Sequence, residues 1–218
     1  MDVVVTGVSA HLELFRRAIA LGAGLVLVHH GLLWDRSPRR LSPTTAGRLR
    51  ALLCEDVNLA AYHLPLDAHP EVGNNALIAG GLGCERIEPF GRHRGTPIGV
   101  AGRFPGEGVP LEDLVGRVEA LTGRSPLVFD AGPARVGSIG IVSGGGAGNL
   151  GEAVKAGLDA FLTGEPAEPA MGEAREAGVH FVAAGHYATE TFGIRRLGEI
   201  VSERFGVEHH FVDVPNPV

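Results

Sequence analysis

The sequence contains few cysteines and no long apolar run. Its two cysteines, Cys54 and Cys84, are too few for a disulfide framework or a thiolate metal site, and both are predicted to be buried or inert. No apolar segment approaches the roughly 20 residues that a membrane helix needs. The run Leu25–Val28, for example, ends at His29 and His30. The N-terminus also lacks the basic and then apolar order of a secretory signal. These absences predict a cytoplasmic protein with no membrane partner.

An excess of positive charge is also lacking. Lys and Arg number 19 against 25 Asp and Glu, which gives a formal net charge of −6 at pH 7. A nucleic-acid partner is therefore disfavoured, because phosphate neutralisation needs clustered cations. The sequence has 44% hydrophobic residues over a length of 218 residues, enough for one large domain or two small lobes. Its ten histidines are the main candidates for chemistry.

Strand and helix patterns alternate along the chain. Two apolar runs, at 1–6 and 25–28, flank an amphipathic pattern at His11–Leu21, and the same order recurs between Val136 and Val214. This order predicts an α/β fold of mostly parallel sheets covered by helices. The Gly-rich, turn-rich segment Phe90–Pro110 predicts a boundary between an N-terminal lobe (1–97) and a C-terminal lobe (98–218), intertwined in one compact unit.

The two halves of the chain repeat each other. The segment AIALGAGLVLVHHG (Ala18–Gly31) aligns with AVKAGLDAFLTGEP (Ala153–Pro166), and AYHLPLD (Ala61–Asp67) aligns with AGHYATE (Ala184–Glu190). In these alignments His30 falls on Glu165, His63 on His186 and Asp67 on Glu190. Both copies therefore carry His-x3-carboxylate just after a predicted strand, and we interpret the pattern as an internal duplication of two similar lobes.

A cluster of nitrogen and oxygen ligands follows from this arrangement. Small molecules and ions bind to open parallel sheets beyond the carboxyl ends of the strands. The paired histidines and both copies of His-x3-carboxylate follow such strand ends. Nitrogen and oxygen donors without thiolate suit zinc, iron, manganese or cobalt, and so many donors suit two ions. Gly31 permits the backbone turn that would let two adjacent histidines serve one site. The residues concerned are His29, His30, His63, Asp67, His186 and Glu190.

Structural roles are the alternatives for several of these residues. His-x3-carboxylate could cap a helix in each copy, and the remaining histidines are predicted to be structural. The loop Ser143–Gly148 (SGGGAG) could meet a phosphate, but a tight turn for close helix–strand packing is the favoured interpretation. Arg36, Arg39 and Arg40 could meet phosphates, although a solvated loop is the favoured interpretation there as well.

With these segments, the sequence resembles the NGG-interacting factor three-like family, whose members are also called GTP cyclohydrolase I type 2 homologs and dinuclear metal centre proteins. The resemblance covers nearly the whole chain. Its most specific parts are VHHG (Val28–Gly31), HLPLDAHPEVGNN (His63–Asn75), LTGE (Leu162–Glu165), GHYATE (Gly185–Glu190) and DVPNPV (Asp213–Val218). Many members carry an inserted middle domain, for which this chain is too short, and members have a further segment before the first strand found here.

The resemblance implies two divalent metal ions (Zn, Fe, Mn or Co) and two similar intertwined α/β/α lobes. Carried over residue by residue, it implies metal ligation by His29, His30, Asp67, His186 and Glu190, with His63 as a ligand or as a catalytic residue close to the site. It also implies a homohexameric ring built from dimers. The expected function is metal-dependent hydrolysis of a small molecule such as GTP. The alternatives are a phosphoester hydrolase and a non-catalytic metal-binding scaffold or regulatory protein.

Overall fold

The structure, a computed structural model, describes residues 2–34 and 40–218. The chain forms two compact units. The first unit contains Met1–Leu66 and Gly193–Pro215, and the second contains Asp67–Phe192 and Asn216–Val218. The chain enters the second unit at Asp67 and returns to the first at Gly193, so neither unit is one continuous segment.

Helices and strands alternate along the described chain, as the sequence predicts. The first elements are β1 (Val3–Ser9), α1 (Leu12–Ala20), β2 (Leu25–His30), α2 (Pro43–Cys54), β3 (Asn58–Ala61) and α3 (Leu64–Asp67). The next are α4 (Asn74–Leu82), β4 (Arg86–His93), β5 (Thr96–Arg103), β6 (Val109–Pro110), α5 (Leu111–Thr122), β7 (Leu127–Phe129), β8 (Arg135–Val136) and β9 (Ser138–Val142). The last are α6 (Leu150–Lys155), β10 (Ala160–Thr163), α7 (Ala170–Ala177), β11 (His180–Ala183), α8 (His186–Thr189), α9 (Thr191–Phe205) and β12 (Glu208–Phe211).

The first unit is built on a parallel sheet with the strand order β12-β1-β2-β3. The central strands β1 and β2 are apolar and almost wholly buried, as expected where both faces of a parallel sheet are covered. Helix α1 packs Leu14 and Phe15 into this core. Gly7 of β1 makes room for the helix, because a Cβ there would lie 2.8 Å from Cδ1 of Leu14. His11 caps α1 by accepting the Leu14 N–H at 3.3 Å.

Helix α9 and strand β12 meet at a glycine in the same unit. A Cβ on Gly198 would lie 2.6 Å from Cδ2 of His209, so the imidazole ring packs directly on the helix backbone. Nε2 of His209 lies 2.8 Å from Oγ1 of Thr6 in β1, which is fully buried. Burial lowers the pKa of His209. This histidine therefore has the structural role that the sequence analysis predicted for it.

The second unit is built on a mixed sheet with the strand order β4-β5-β9-β10-β11-β7. Strands β9, β10 and β11 are parallel, and the outer strands are antiparallel to their neighbours. Successive residues alternate between the two faces, as the geometry of a strand requires. Phe161 and Phe181 belong to one core with α6 and α7, while Leu162 and Val182 belong to another with α4 and α5. This unit has helices on both faces of the sheet, which confirms the α/β class.

The segment between 86 and 103 differs from the prediction of a boundary. It forms an antiparallel hairpin of β4 and β5, in which Arg86 pairs with Arg103 and His93 with Thr96. Arg94 and Gly95 form the two-residue connection with φ of 50° and 87°, the left-handed values of a tight hairpin turn. The predicted division at 97/98 therefore falls inside β5. The glycines and other turn residues of this segment belong to the hairpin and to the loops after it. The chain passes between the two units at 66/67 and 192/193.

Two further predictions concern membranes and cysteines. In the described residues, no helix is long and apolar enough to cross a membrane. Cys54 ends α2 and is exposed, so it is not buried, and its inertness stays a prediction. Cys84 is partly buried, and burial raises the pKa of its thiol to about 11. Cys84 is therefore almost wholly protonated at neutral pH, as expected for an inert thiol.

Candidate metal centre

The paired histidines end strand β2 in the first unit. His29 is fully buried, and its Nδ1 lies 2.9 Å from the carbonyl oxygen of Tyr62. Because a carbonyl only accepts hydrogen bonds, this contact assigns the proton to Nδ1 and leaves Nε2 as the ligand atom of the neutral ring. Nδ1 of His30 lies 3.0 Å from Oγ of Ser9 at the end of β1. Both rings are therefore held by neighbouring strands.

His63 joins this pair just after β3. Its ring centroid lies 5.0 Å from that of His29 and 5.3 Å from that of His30. One nitrogen from each of the three rings lies within 4.8 Å of the others. Gly31 directly follows the end of β2 and does not have a positive φ; its lack of a side chain lets β3 approach, since a Cβ would lie 3.0 Å from Cβ of Ala61. The first unit thus brings three imidazoles together.

Asp67 is the first residue of the second unit, and buried amides fix its position. The carboxylate is 5% exposed, and its Oδ1 accepts hydrogen bonds from Nδ2 of Asn74 at 2.8 Å and Oγ of Ser143 at 3.0 Å. Asn75 links the same elements: its Oδ1 accepts the Ser143 N–H at 2.7 Å, and its Nδ2 donates to the Asp67 carbonyl at 3.2 Å. No sequence pattern pointed to these roles for Asn74 and Asn75, although both lie in the segment HLPLDAHPEVGNN.

His186 and Glu190 lie one helical turn apart after β11. Nε2 of His186 lies 3.1 Å from Oε2 of Glu190, which is buried. A carboxylate oxygen of Glu190 also lies within 4.8 Å of one from Asp67. The second unit therefore brings together the three remaining predicted ligands. Nδ1 of His186 contacts the carboxylate of Glu165, a residue that the repeat aligned with His30 but that was not predicted as a ligand.

Two glycines allow the ends of three parallel strands to meet around these side chains. Gly144 follows β9 with φ of 62°, and a Cβ there would lie 3.0 Å from Nε2 of His186 and 3.1 Å from Cδ of Glu190. Gly164 follows β10, and a Cβ there would lie 2.6 Å from Cα of His186. The carboxyl ends of β9, β10 and β11 share one edge of the sheet, so His186 and Glu190 lie where a parallel sheet usually binds small molecules or ions.

The loop Ser143–Gly148 packs closely and does not present its first N–H groups to an anion. The N–H of Gly144 donates to Oγ1 of Thr189 at 3.0 Å, and that of Gly146 donates to Oγ1 of Thr163 at 3.0 Å. Together with the bond from Ser143 to Asn75, these contacts support the tight-turn interpretation. Arg36 and Arg39, the other candidates for phosphate contacts, lie outside the described residues.

Acidic neighbours hold a proton on His186 in the metal-free protein. The hydrogen bond to Glu190 is the largest cause, and with Glu165 it raises the pKa of His186 to about 9 against the opposing effect of burial. Such a site favours a positive charge on the ring. A divalent cation at Nε2 satisfies the same carboxylates, so the electrostatics suit a metal ion as well as a proton.

The donors in each unit fit a first-row divalent metal. They are imidazole nitrogens and carboxylate oxygens, the set expected for zinc, iron, manganese or cobalt. Hydrogen bonds from neighbouring groups orient several of the donors, as is usual around metal ligands. The lack of a side chain at Gly144 keeps open the space beside His186 and Glu190.

The other histidines with described contacts are structural. His180 shows the pattern: its Nδ1 accepts the N–H groups of Ala131 and Gly132, while its Nε2 lies 2.8 Å from the Pro133 carbonyl. Each of these histidines holds backbone or a neighbouring side chain within its own unit; they are His11, His69, His180, His209 and His210. These contacts are consistent with the prediction that they are structural.

Comparison with known proteins gives the family. The sequence model described as Duf34/NIF3 (NGG1p interacting factor 3) matches residues 1–217. The chain belongs to the Duf34/NIF3 family. Its relatives include proteins named GTP cyclohydrolase 1 type 2 homolog. The one from Deinococcus radiodurans is 42% identical over 97% of this chain and 80% of the relative, and the one from Escherichia coli K12 is 43% identical over 98% and 85%.

Solved structures of Duf34/NIF3 relatives have the same fold. The protein ybgI, described as of unknown function, matches with a TM-score of 0.92 and 41% identity, covering all of this chain and 86% of that chain. A protein from Thermus thermophilus matches with a TM-score of 0.89 and 39% identity, covering all of this chain and 85% of that chain. These likenesses confirm the α/β fold and the family resemblance. The internal duplication stays a prediction.

Proposed function

We propose that this Duf34/NIF3 protein binds two divalent metal ions and uses them to hydrolyse a small molecule, with a nucleotide such as GTP as the first candidate. The proposed ligands are His29, His30, Asp67, His186 and Glu190. His63 either completes the ligand set or accepts a proton during the reaction. The relatives' name, GTP cyclohydrolase 1 type 2 homolog, supports the choice of GTP.

The observation that carries the proposal is the grouping of donors within each unit. The first unit places three imidazole nitrogens within 4.8 Å of one another, and the second places a carboxylate of Glu190 within 3.1 Å of His186 and within 4.8 Å of Asp67. Two buried carboxylates this close repel each other, and a cation beside them offsets that repulsion. The proximity of Asp67 and Glu190, with His186 beside Glu190, therefore supports a bound cation.

The chain's own residues have distinct tasks in this function. Tyr62 orients His29, and Asn74 and Ser143 orient Asp67, so these ligands need little reordering on binding. Two divalent ions bound by these residues would supply an acidified water and would stabilise negative charge on the substrate. His63, which is partly buried beside His29 and His30, would complete the ligand set or accept a proton.

Metal analysis by mass spectrometry on gently purified, tag-free protein tests the binding. We expect two first-row ions per chain in the wild type and a reduced content in His30→Ala and His186→Ala, which remove one ligand from each unit. His210→Ala is the matched control, because His210 lies at the surface in contact with Glu208. Wild-type protein that stays metal-free after reconstitution with zinc, manganese and ferrous iron would refute the proposal.

Turnover tests the catalytic part separately. Attack at C8 of guanine opens its imidazole ring and changes the purine absorbance, so GTP is offered with added manganese, iron, zinc or cobalt. We expect activity that depends on the metal and is lost in Asp67→Ala. Activity on phosphoesters but not on GTP would favour a phosphoester hydrolase. Metal-dependent stability without turnover of either substrate class would favour the non-catalytic scaffold.

A further inference from the structure

We infer that Glu165 is a positioning residue that orients the imidazole of His186 towards its metal ion; the inference rests on the proposed function. The carboxylate of Glu165 contacts Nδ1 of His186, while Nε2 of the same ring faces Oε2 of Glu190 at 3.1 Å. A metal-binding imidazole that donates its second N–H to a carboxylate is fixed in tautomer and ring orientation, and becomes a more basic ligand.

Burial distinguishes the two carboxylates that flank His186. The side chain of Glu190 is 4% exposed, and its carboxylate lies close to that of Asp67. The side chain of Glu165 is 41% exposed. Nε2 therefore points towards the buried group of ligands, and Nδ1 points towards the solvent side. This asymmetry makes Glu190 the ligand and Glu165 the residue that sets the direction of the ring.

The backbone holds Glu165 and His186 at a fixed separation. The N–H groups of Gly164 and Glu165 both donate to the Gly144 carbonyl, at 2.9 and 3.0 Å, and the N–H of Gly185 donates to the Gly164 carbonyl at 2.9 Å. Because Gly164 has no side chain, the segment after β10 lies directly against Cα of His186. Both side chains thus start from anchored backbone, and the contact between them needs little further ordering.

The internal repeat gives the competing interpretation. In the sequence alignment of the two halves, Glu165 occupies the position of His30, which is a proposed ligand. Glu165 could on that basis be a ligand itself. The two roles differ in what they need: a positioning residue must only accept a hydrogen bond from Nδ1, whereas a ligand must supply a negative oxygen to the cation. Substitution by glutamine separates them, because its amide oxygen still accepts the hydrogen bond.

Zinc titration against a competing chelator tests the inference on the full chain. We expect Glu165→Ala to weaken zinc binding by about 10–100-fold, the usual effect of removing a residue that orients a metal ligand. Glu165→Gln should retain most of the affinity, whereas Glu190→Gln should not. Glu168→Gln is the matched control for charge, since Glu168 is an exposed residue after the same strand. It should bind zinc like the wild type.

Nitrogen-edited NMR of the imidazoles gives a second readout, independent of activity. In zinc-loaded wild type and Glu165→Gln, His186 should show a protonated Nδ1 whose hydrogen exchanges slowly with water. In Glu165→Ala that signal should be lost to exchange. A purely structural role for Glu165 would change the thermal stability of the chelator-treated protein without changing this signal.

The outcomes separate this inference from the proposed function. If the wild type binds zinc and Glu165→Ala binds it equally well, the inference is overturned and the metal centre stands. If Glu165→Gln loses as much zinc affinity as Glu190→Gln, then Glu165 is a ligand, and the inference is overturned in this case as well. If the wild type binds no zinc, the titration is repeated with manganese and ferrous iron; a wild type that binds none of the three refutes both the inference and the proposed function.

Discussion

Replacing Gly144 with alanine should damage the candidate metal centre without removing any ligand. The residue has φ of 62°, which costs an alanine about 1–2 kcal/mol. The new Cβ would also overlap Oε1 of Glu190, its nearest atom, and would lie 3.1 Å from Cδ of the same residue, about 0.5 Å inside ordinary carbon–carbon contact. Glu190 is buried, so its carboxylate must be displaced by at least this amount. Binding sites tolerate displacements of only about 0.5 Å.

We expect two measurable effects of Gly144→Ala. The melting temperature of chelator-treated protein should fall by about 2–8 °C, from the backbone cost and the usual 2–4 °C per kcal/mol for a chain of this size. Zinc affinity should fall by about 10–100-fold, as when the orientation of a ligand is disturbed. Differential scanning fluorimetry with chelator and zinc titration with a competing dye measure these two effects.

Gly145→Ala is the matched control. Gly145 is exposed, its φ is not positive, and the nearest atom to a Cβ there is Cε1 of His186 at 4.0 Å. Its stability should change by no more than about 0.5 kcal/mol, and its zinc affinity should match the wild type. If Gly144→Ala bound zinc as tightly as Gly145→Ala, the reasoning that this glycine makes room for the ligands would be refuted.

Three further predictions follow from burial and charge. Gly198→Ala should destabilise the protein by about 1–3 kcal/mol, because its Cβ meets the imidazole of His209 packed on α9. Gly116→Ala, in open space on α5, should stabilise the protein by about 0.5–1 kcal/mol. Chemical denaturation of both variants checks that the two effects have opposite signs. In chelator-treated protein, the acidic neighbours raise the pKa of His186 to about 9. The stabilisation from its charge is therefore complete below pH 6.5 and is lost as the pH rises to about 9. Over this pH range, the melting temperature should fall more in the wild type than in His186→Asn. A thiol reagent at pH 8 should modify Cys54 quickly and Cys84 only on unfolding, because burial raises the pKa of Cys84 to about 11; equal rates in the folded protein would contradict this.

Local patterns predict most of the secondary structure and the chemistry of the site. The helix predicted at His11–Leu21 is observed as α1, and the apolar run that ends at the histidine pair is observed as β2. Apolar periodicity and helix-terminating glycines are local properties of the chain, so they can be recognised from the sequence alone. The repeat of His-x3-carboxylate likewise singles out His63, Asp67, His186 and Glu190 from residue type and spacing alone. The second unit places Glu190 near both Asp67 and His186, and the first unit places His63 beside His29 and His30.

Contacts between distant parts of the chain were not predictable in the same way. The segment 86–103 contains turn signals that fit either a boundary or a hairpin, and only its pairing with β9 decides for the hairpin. The roles of Asn74 and Glu165 depend on hydrogen bonds to residues brought near by strand order. The close packing of β3 against Gly31 was not predictable either, because it depends on Ala61 of a neighbouring strand.

The sequence by itself determined the class of fold, the alternation of elements and the nitrogen and oxygen donors, because these depend on residue type and local periodicity. Tertiary structure decided how the strands are ordered and how the chain divides. β12, near the C-terminus, pairs with β1, near the N-terminus, and the first unit is closed by a segment that returns at Gly193. Strand pairing over such separations is set by packing of the whole core, which no local pattern encodes. The same packing fixes which side chains orient the ligands.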